Sequence, residues 1–160
     1  MPVIFISGIS GKRGELTMEQ KITKINNWFE EQIAACGRRN AELQADDRTD
    51  EAIFEKVKAN IYDAMRTWLN VAVRVGNGNG KAVKDFFIAR VEQIPASWEA
   101  AYEKAKEHND TARMQTEQVK LDVVREVRAE FDQIWEGAEC QKPKPSSYLN
   151  AWRTSQGCRF

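Results

Sequence analysis

Residues 95–137 read PASWEAAYEKAKEHNDTARMQTEQVKLDVVREVRAEFDQIWEG, and this stretch decides the fold. Trp98, Ala101, Tyr102 and Ala105 recur at steps of three and four, which puts their side chains on one face of an α-helix. After Glu107-His108-Asn109-Asp110 the same spacing returns over a longer arm, at Leu121, Val124, Val127, Phe131 and Ile134. Two helices folded back on each other are predicted. His108 stands where a cation suits a helix C-terminus, Asn109 suits a left-handed cap, and Asp110 suits the start of the next helix. Gly137 suits the position just past a helix end.

Working back from there, Pro95 stops the preceding helix or kinks it into the next, since proline fits only a first turn. That preceding helix is expected over about Lys81–Gln93, with Val83, Phe86, Phe87, Arg90, Val91 and Ile94 on or beside its inner face. Gly76-Asn77-Gly78-Asn79-Gly80 comes before it, a run too costly in entropy to hold a helix. It reads as a flexible helix–helix connection; a mobile ligand loop is the functional alternative. A helix from about Thr49 to Val75 is predicted next. Phe54, Val57, Ile61, Ala64, Trp68, Val71 and Val75 alternate at three and four, the cleanest heptad in the chain, and are expected to form its buried stripe. The first helix should start at Thr17, with Gln20 at capping-box spacing, and run to about Ala45. Met18, Ile22, Ile25, Phe29 and Ile33 are its inner face, and the polar cluster Asp46–Asp50 breaks it.

The expected architecture is all-α, an antiparallel bundle of four to five helices over 17–138 with an N-terminal arm at 1–16 and a C-terminal tail at 139–160. In the arm, Val3, Ile4, Phe5 and Ile6 have strand propensity, and a glycine-rich basic loop follows. A P-loop needs four residues between its glycines; only two separate Gly8 from Gly11, and Arg13 stands where the metal-binding hydroxyl belongs. The tail carries the spacer Lys142-Pro143-Lys144-Pro145, then Tyr148, Leu149, Trp152 and Phe160. Residues 96–106 with the helix after them resemble a single unit of the tetratricopeptide kind. No second copy follows at a fixed period, so no solenoid is expected.

The 160 residues carry 24 Lys and Arg against 24 Asp and Glu, without the basic surplus that nucleic-acid binding usually needs. No apolar run approaches the roughly 20 residues that cross a bilayer. Cys36, Cys140 and Cys158 form no CxxC pair, which suits free thiols in the cytoplasm, though Cys140 and Cys158 could close the tail in an oxidising compartment. His108 is the single histidine, and Ala105 stands three residues before it, so no Glu-x-x-His metal motif is present. No catalytic, metal or cofactor residue is assigned, and no enzyme activity or cofactor is expected. Large apolar residues do occur as adjacent pairs: Trp28-Phe29, Ile53-Phe54, Trp68-Leu69, Phe86-Phe87 and Ile134-Trp135. Neighbours on a helix lie about 100° apart, so such pairs widen the buried stripe or turn one member outward. The leading expectation is a protein–protein interaction or self-association module, a homodimer included, using an aromatic surface with at least one tryptophan. The alternative is a nucleotide- or phosphate-binding protein using residues 6–13 and the loop at 76–80. Nucleic-acid binding by the tail, net +3 from four basic residues against Glu139, is a weaker third.

Overall fold

Thr17 opens the first helix as its spacing requires. Its Oγ1 accepts from the Gln20 amide while the Gln20 side chain accepts from the Thr17 amide, so two otherwise unpaired donors are satisfied together. The computed structural model describes residues 14–137, which form α1 (Met18–Ala45), α2 (Thr49–Gly76), α3 (Gly80–Gln93), α4 (Pro95–Glu107) and α5 (Thr111–Glu136). No strand occurs among the described residues. The apolar start of the N-terminal arm with its glycine loop, and the tail with Cys140 and Cys158, lie outside the described residues.

Three of the four connections reverse the chain through a residue at positive φ, Asp47 at +57°, Asn77 at +43° and Asn109 at +54°, with Gly78 at +83° following Asn77. Asp110 then caps α5 by accepting from the Arg113 amide, and Gly137 closes that helix at φ +63°. The fourth connection is a kink. Ile94 keeps right-handed helical angles, its amide still bonds Arg90, and Pro95 begins α4 without a loop. Counting α3 and α4 as one bent rod gives four arms; counting them apart gives five helices.

Directions follow from cross-helix pairs. Arg39 meets Glu55 and Arg66 meets Glu30, so α1 and α2 are antiparallel. Lys84 meets Glu136 and Arg128 meets Glu92, so α3 and α5 are antiparallel as well. The core is shared by α1, α2, α3 and α5, with Phe29, Met65, Leu69, Val83, Phe87, Val127 and Phe131 sealed from solvent. Phe131 stacks on Trp135 at 5.1 Å and tilts against Phe87 at 4.7 Å between ring centres. α4 leaves this core and lies along α5, burying Ala105 fully and Trp98, Ala101 and Tyr102 in part.

Two expectations are corrected. The heptad read on α2 is not its buried face: Ala52, Glu55, Tyr62, Met65, Leu69, Ala72 and Gly76 are buried, one residue on from most of that series, or about 100° around the helix. The inner face mixes the large Tyr62, Met65 and Leu69 with the small Ala52, Ala72 and Gly76 and the paired Glu55, so it is less regular in apolar spacing than the outer row. The glycine run is also shorter as a connection than its composition suggests. Gly76 ends α2 and Gly80 begins α3, leaving only Asn77, Gly78 and Asn79 between them. A Cβ at Gly76 would lie 2.5 Å from Val83 Cγ2, so glycine is needed there for helix packing.

Candidate functional site

Buried polar groups are the first place to look for chemistry. Cys36 on α1 and Glu55 on α2 meet beside Arg39, whose Nε donates to Glu55 Oε2 at 3.0 Å and whose Nη2 lies 3.6 Å from the Cys36 sulfur. Lys58 Nζ donates to Glu55 Oε1 at 2.8 Å. Burial pushes the Glu55 carboxyl up, but the hydrogen bonds from Lys58 and Arg39 outweigh it, and its pKa falls below the usual 4.5. The Cys36 thiol is pushed up, first by burial and then by the Glu55 charge, against a smaller pull from Arg39. That is the protonated, poorly nucleophilic state. Two turns on along α2, the Tyr62 hydroxyl donates to Glu126 Oε2 on α5 at 2.5 Å; burial and this carboxylate push the phenol well above its usual 10. The Arg39–Glu55 and Tyr62–Glu126 bonds cross between helices, while Lys58–Glu55 and Arg39–Cys36 lie within α2 and α1. The cluster braces α1, α2 and α5.

The other residues that could carry chemistry are placed elsewhere. His108 sits at the exposed end of α4, its amide bonded to Lys104, far along the chain from Cys36 and in a turn. In the 76–80 connection, Asn79 Oδ1 accepts from the Ala82 amide and so uses one of the free donors at the start of α3. Among the described residues no group of three or more His, Cys, Asp or Glu side chains is arranged to hold a metal ion. No described helix is long and apolar enough to cross a membrane.

The adjacent apolar pairs sort more informatively. Phe29, Leu69 and Phe87 enter the core while Trp28, Trp68 and Phe86 pack at its margin; Ile134 and Trp135 are both buried. Ile53-Phe54 is different. Ile53 is 55% exposed and Phe54 only half-buried, so this pair sends neither member into the core.

At least one tryptophan is expected from the sequence at an interface, but the four described tryptophans all pack against side chains of their own chain. Arg90 lies 4.7 Å over the Trp68 ring and 5.3 Å over Phe86, Lys120 lies 5.7 Å over Trp98, and Lys21 lies 5.8 Å over Trp135. Trp28 packs edge-on against Phe29 and Tyr62. The large hydrophobic side chains left exposed among the described residues are aliphatic: Leu16, Ile53 and Val75.

Two of these stand on one line. At 100° per residue, Ile53, Val57, Ala64, Val71 and Val75 fall within about 40° of one another on α2. Ile53, Ala64 and Val75 are exposed, and Val57 and Val71 half-buried. The row turns away from α1 and α5. α3 lies beside α2 only as far down as Trp68 and the residues just below it, because the chain then bends at Pro95 to follow α5. Below that level the flank of α2 holding Phe54 and Val57 has no α3 against it. Thus the heptad legible in the sequence is real, but its outward half faces solvent. The chain matches no protein-family model, no curated protein and no solved structure.

Proposed function

We propose that this protein is a non-enzymatic helical interaction module of the cytoplasm, associating with another protein chain or with itself through the outer face of α2. The observation that carries this reading is the aliphatic row from Ile53 to Val75, exposed at Ile53, Ala64 and Val75 and spanning six turns of helix, while the described aromatic residues are mostly covered within the chain. Exposed aliphatic side chains ranged along one face of a helix suit contact with another chain. Support for a non-enzymatic role comes from the titratable groups. Cys36, Glu55, Tyr62 and Glu126 are engaged where α1, α2 and α5 meet, and His108 lies at the exposed end of α4, apart from them. The protonated Cys36 thiol suits a reducing compartment.

The test uses the full chain with Val57→Glu and Val71→Glu introduced singly. Light scattering after size exclusion, and capture of partners from a lysate of the source, should both show association that either substitution abolishes. A wild-type chain that is strictly monomeric and captures nothing overturns the proposal.

A further inference from the structure

Gly76-Asn77-Gly78-Asn79-Gly80 places each of its two asparagines between two glycines, so local sequence does not tell them apart. The fold holds them differently, and from this we infer that Asn77 is a site of spontaneous covalent modification, deamidating through a cyclic imide, while Asn79 is protected. Asparagine is among the thermolabile side chains, and a following glycine leaves its backbone nitrogen open to approach. In the reaction the Gly78 nitrogen, giving up its proton, attacks the side-chain carbonyl carbon of Asn77. A bond forms between that nitrogen and that carbon, the bond from the carbon to the side-chain nitrogen breaks, and ammonia leaves. Water then opens the imide at either carbonyl. The products are aspartate, or isoaspartate in which the main chain runs through the side-chain carbon. Water is the only co-reactant.

The two sites differ at the peptide that has to move. With Asn77 at φ +43° and ψ +54°, the Gly78 nitrogen points away from the Asn77 side chain, so the 77–78 peptide must flip before attack. Among the described residues neither the Asn77 carbonyl nor the Gly78 amide makes a backbone hydrogen bond, and both residues are exposed. A flip turns the Asn77 ψ and the Gly78 φ in opposite senses. Gly78 stands at φ +83°, tolerates either sign, and has nothing within 4 Å of where a Cβ would lie. The 79–80 peptide is anchored instead. Its carbonyl accepts from the Val83 amide at 3.0 Å, the first bond of α3, and Asn79 Oδ1 accepts from the Ala82 amide at 3.2 Å. Gly80 is packed as well: a Cβ there would lie 3.4 Å from the Met18 sulfur and 3.7 Å from Trp135 Cζ2. Attack at Asn79 therefore requires the first turn of α3 to open. Either product at position 77 sets a negative charge at the C-terminal end of α2, where the helix dipole opposes it. Isoaspartate also lengthens the main chain within a connection of only three residues.

The test ages the full chain at mildly alkaline pH and physiological temperature, with samples withdrawn over time. Trypsin cuts after Arg74 and Lys81 and releases one peptide, residues 75–81, that carries both asparagines. Fragment-ion mass spectrometry assigns each conversion of amide to acid to position 77 or 79, and digestion in heavy-oxygen water marks any that occurs during handling. In the folded protein Asn77 should convert about tenfold or more faster than Asn79, the factor that two retained hydrogen bonds supply. In concentrated urea the two should convert at closely similar rates, because their neighbours are identical. A second reading uses a carboxyl methyltransferase that recognises isoaspartate, with S-adenosylmethionine as methyl donor. Aged wild type should accept methyl groups, and aged Asn77→Gly, which keeps the left-handed position but lacks the reacting amide, should accept far fewer. Equal rates at the two sites in the folded chain, faster conversion at Asn79, or an Asn77 that stays intact overturns the inference. A preference for Asn77 that persists unchanged in urea overturns the role given to the fold.

Discussion

Two helices of this bundle carry apolar rows of nearly the same period, and they come to different ends. On α5, Leu121, Val124, Val127, Phe131 and Ile134 are all buried, because that helix has α4 along one side and α1, α2 and α3 against the rest. On α2, the row from Ile53 to Val75 stays largely open, because its neighbours occupy the opposite arc and α3 covers only part of its length. The spacing of apolar side chains states that a face is suited to burial. How many neighbours the chain supplies decides whether burial occurs within one molecule.

The sharpest way to test that contrast is to truncate one member of each row. Phe131→Ala should cost about 3–5 kcal/mol of unfolding free energy in a urea titration, since it removes a sealed ring packed on Trp135 and Phe87. A loss below about 1 kcal/mol would show that α5 is not the centre of the core. Gly76→Ala probes the close approach of α2 to α3. The added methyl meets Val83 Cγ2 at 2.5 Å and its backbone nitrogen at 3.1 Å, so a cost of about 1–3 kcal/mol is expected in spite of the better helix propensity of alanine.

Glu55→Gln should cost about 1–2 kcal/mol at neutral pH, reduced from the value for a sealed pair because the Arg39 and Lys58 side chains are 48% and 32% open to solvent. Its pH dependence has a definite sign. The folded pKa of Glu55 lies below its unfolded value of about 4.5, so the stabilisation is complete above that pH and is lost as pH falls through the lower, folded pKa. Thermal melts between pH 7 and 3 should therefore show a shallower acid decline for the variant than for the wild type. Parallel curves would mean that Glu55 does not titrate differently on folding. Smallest of all, Ile53→Glu should alter monomer stability by no more than about 0.5 kcal/mol while weakening association. A large destabilisation would place Ile53 inside a contact that the fold does not contain.

Much of this architecture was legible in the chain. The cap at Thr17, the turn at Asn109 and Asp110, the end at Gly137 and the stripe on α5 each rest on local chemistry that a sequence carries openly. The phase of α2 was not, because two apolar rows share that helix and the inner one includes Ala72, Gly76 and the charged Glu55. Tyr62, Met65, Leu69 and Ala72 at steps of three and four were the available signal, masked by the second, more regular apolar row beside them. The Cys36–Arg39–Glu55 cluster could not be read either. Its members come from two helices, and only the antiparallel docking of α1 on α2 brings position 36 beside position 55. The exposed row was visible as a pattern, but its exposure depends on where α3 ends.

No handover between successive helices in this bundle takes more than three residues, and the one at Ile94 takes a single residue. A chain built this way closes only small loops on its way to the native state, and most of its partners in packing are close along the sequence. Loop-closure entropy grows with loop size, so the search is brief. Folding on the microsecond-to-millisecond scale of helical bundles is the expected result, leaving little time for the greasy flank of α2 to meet the wrong surface.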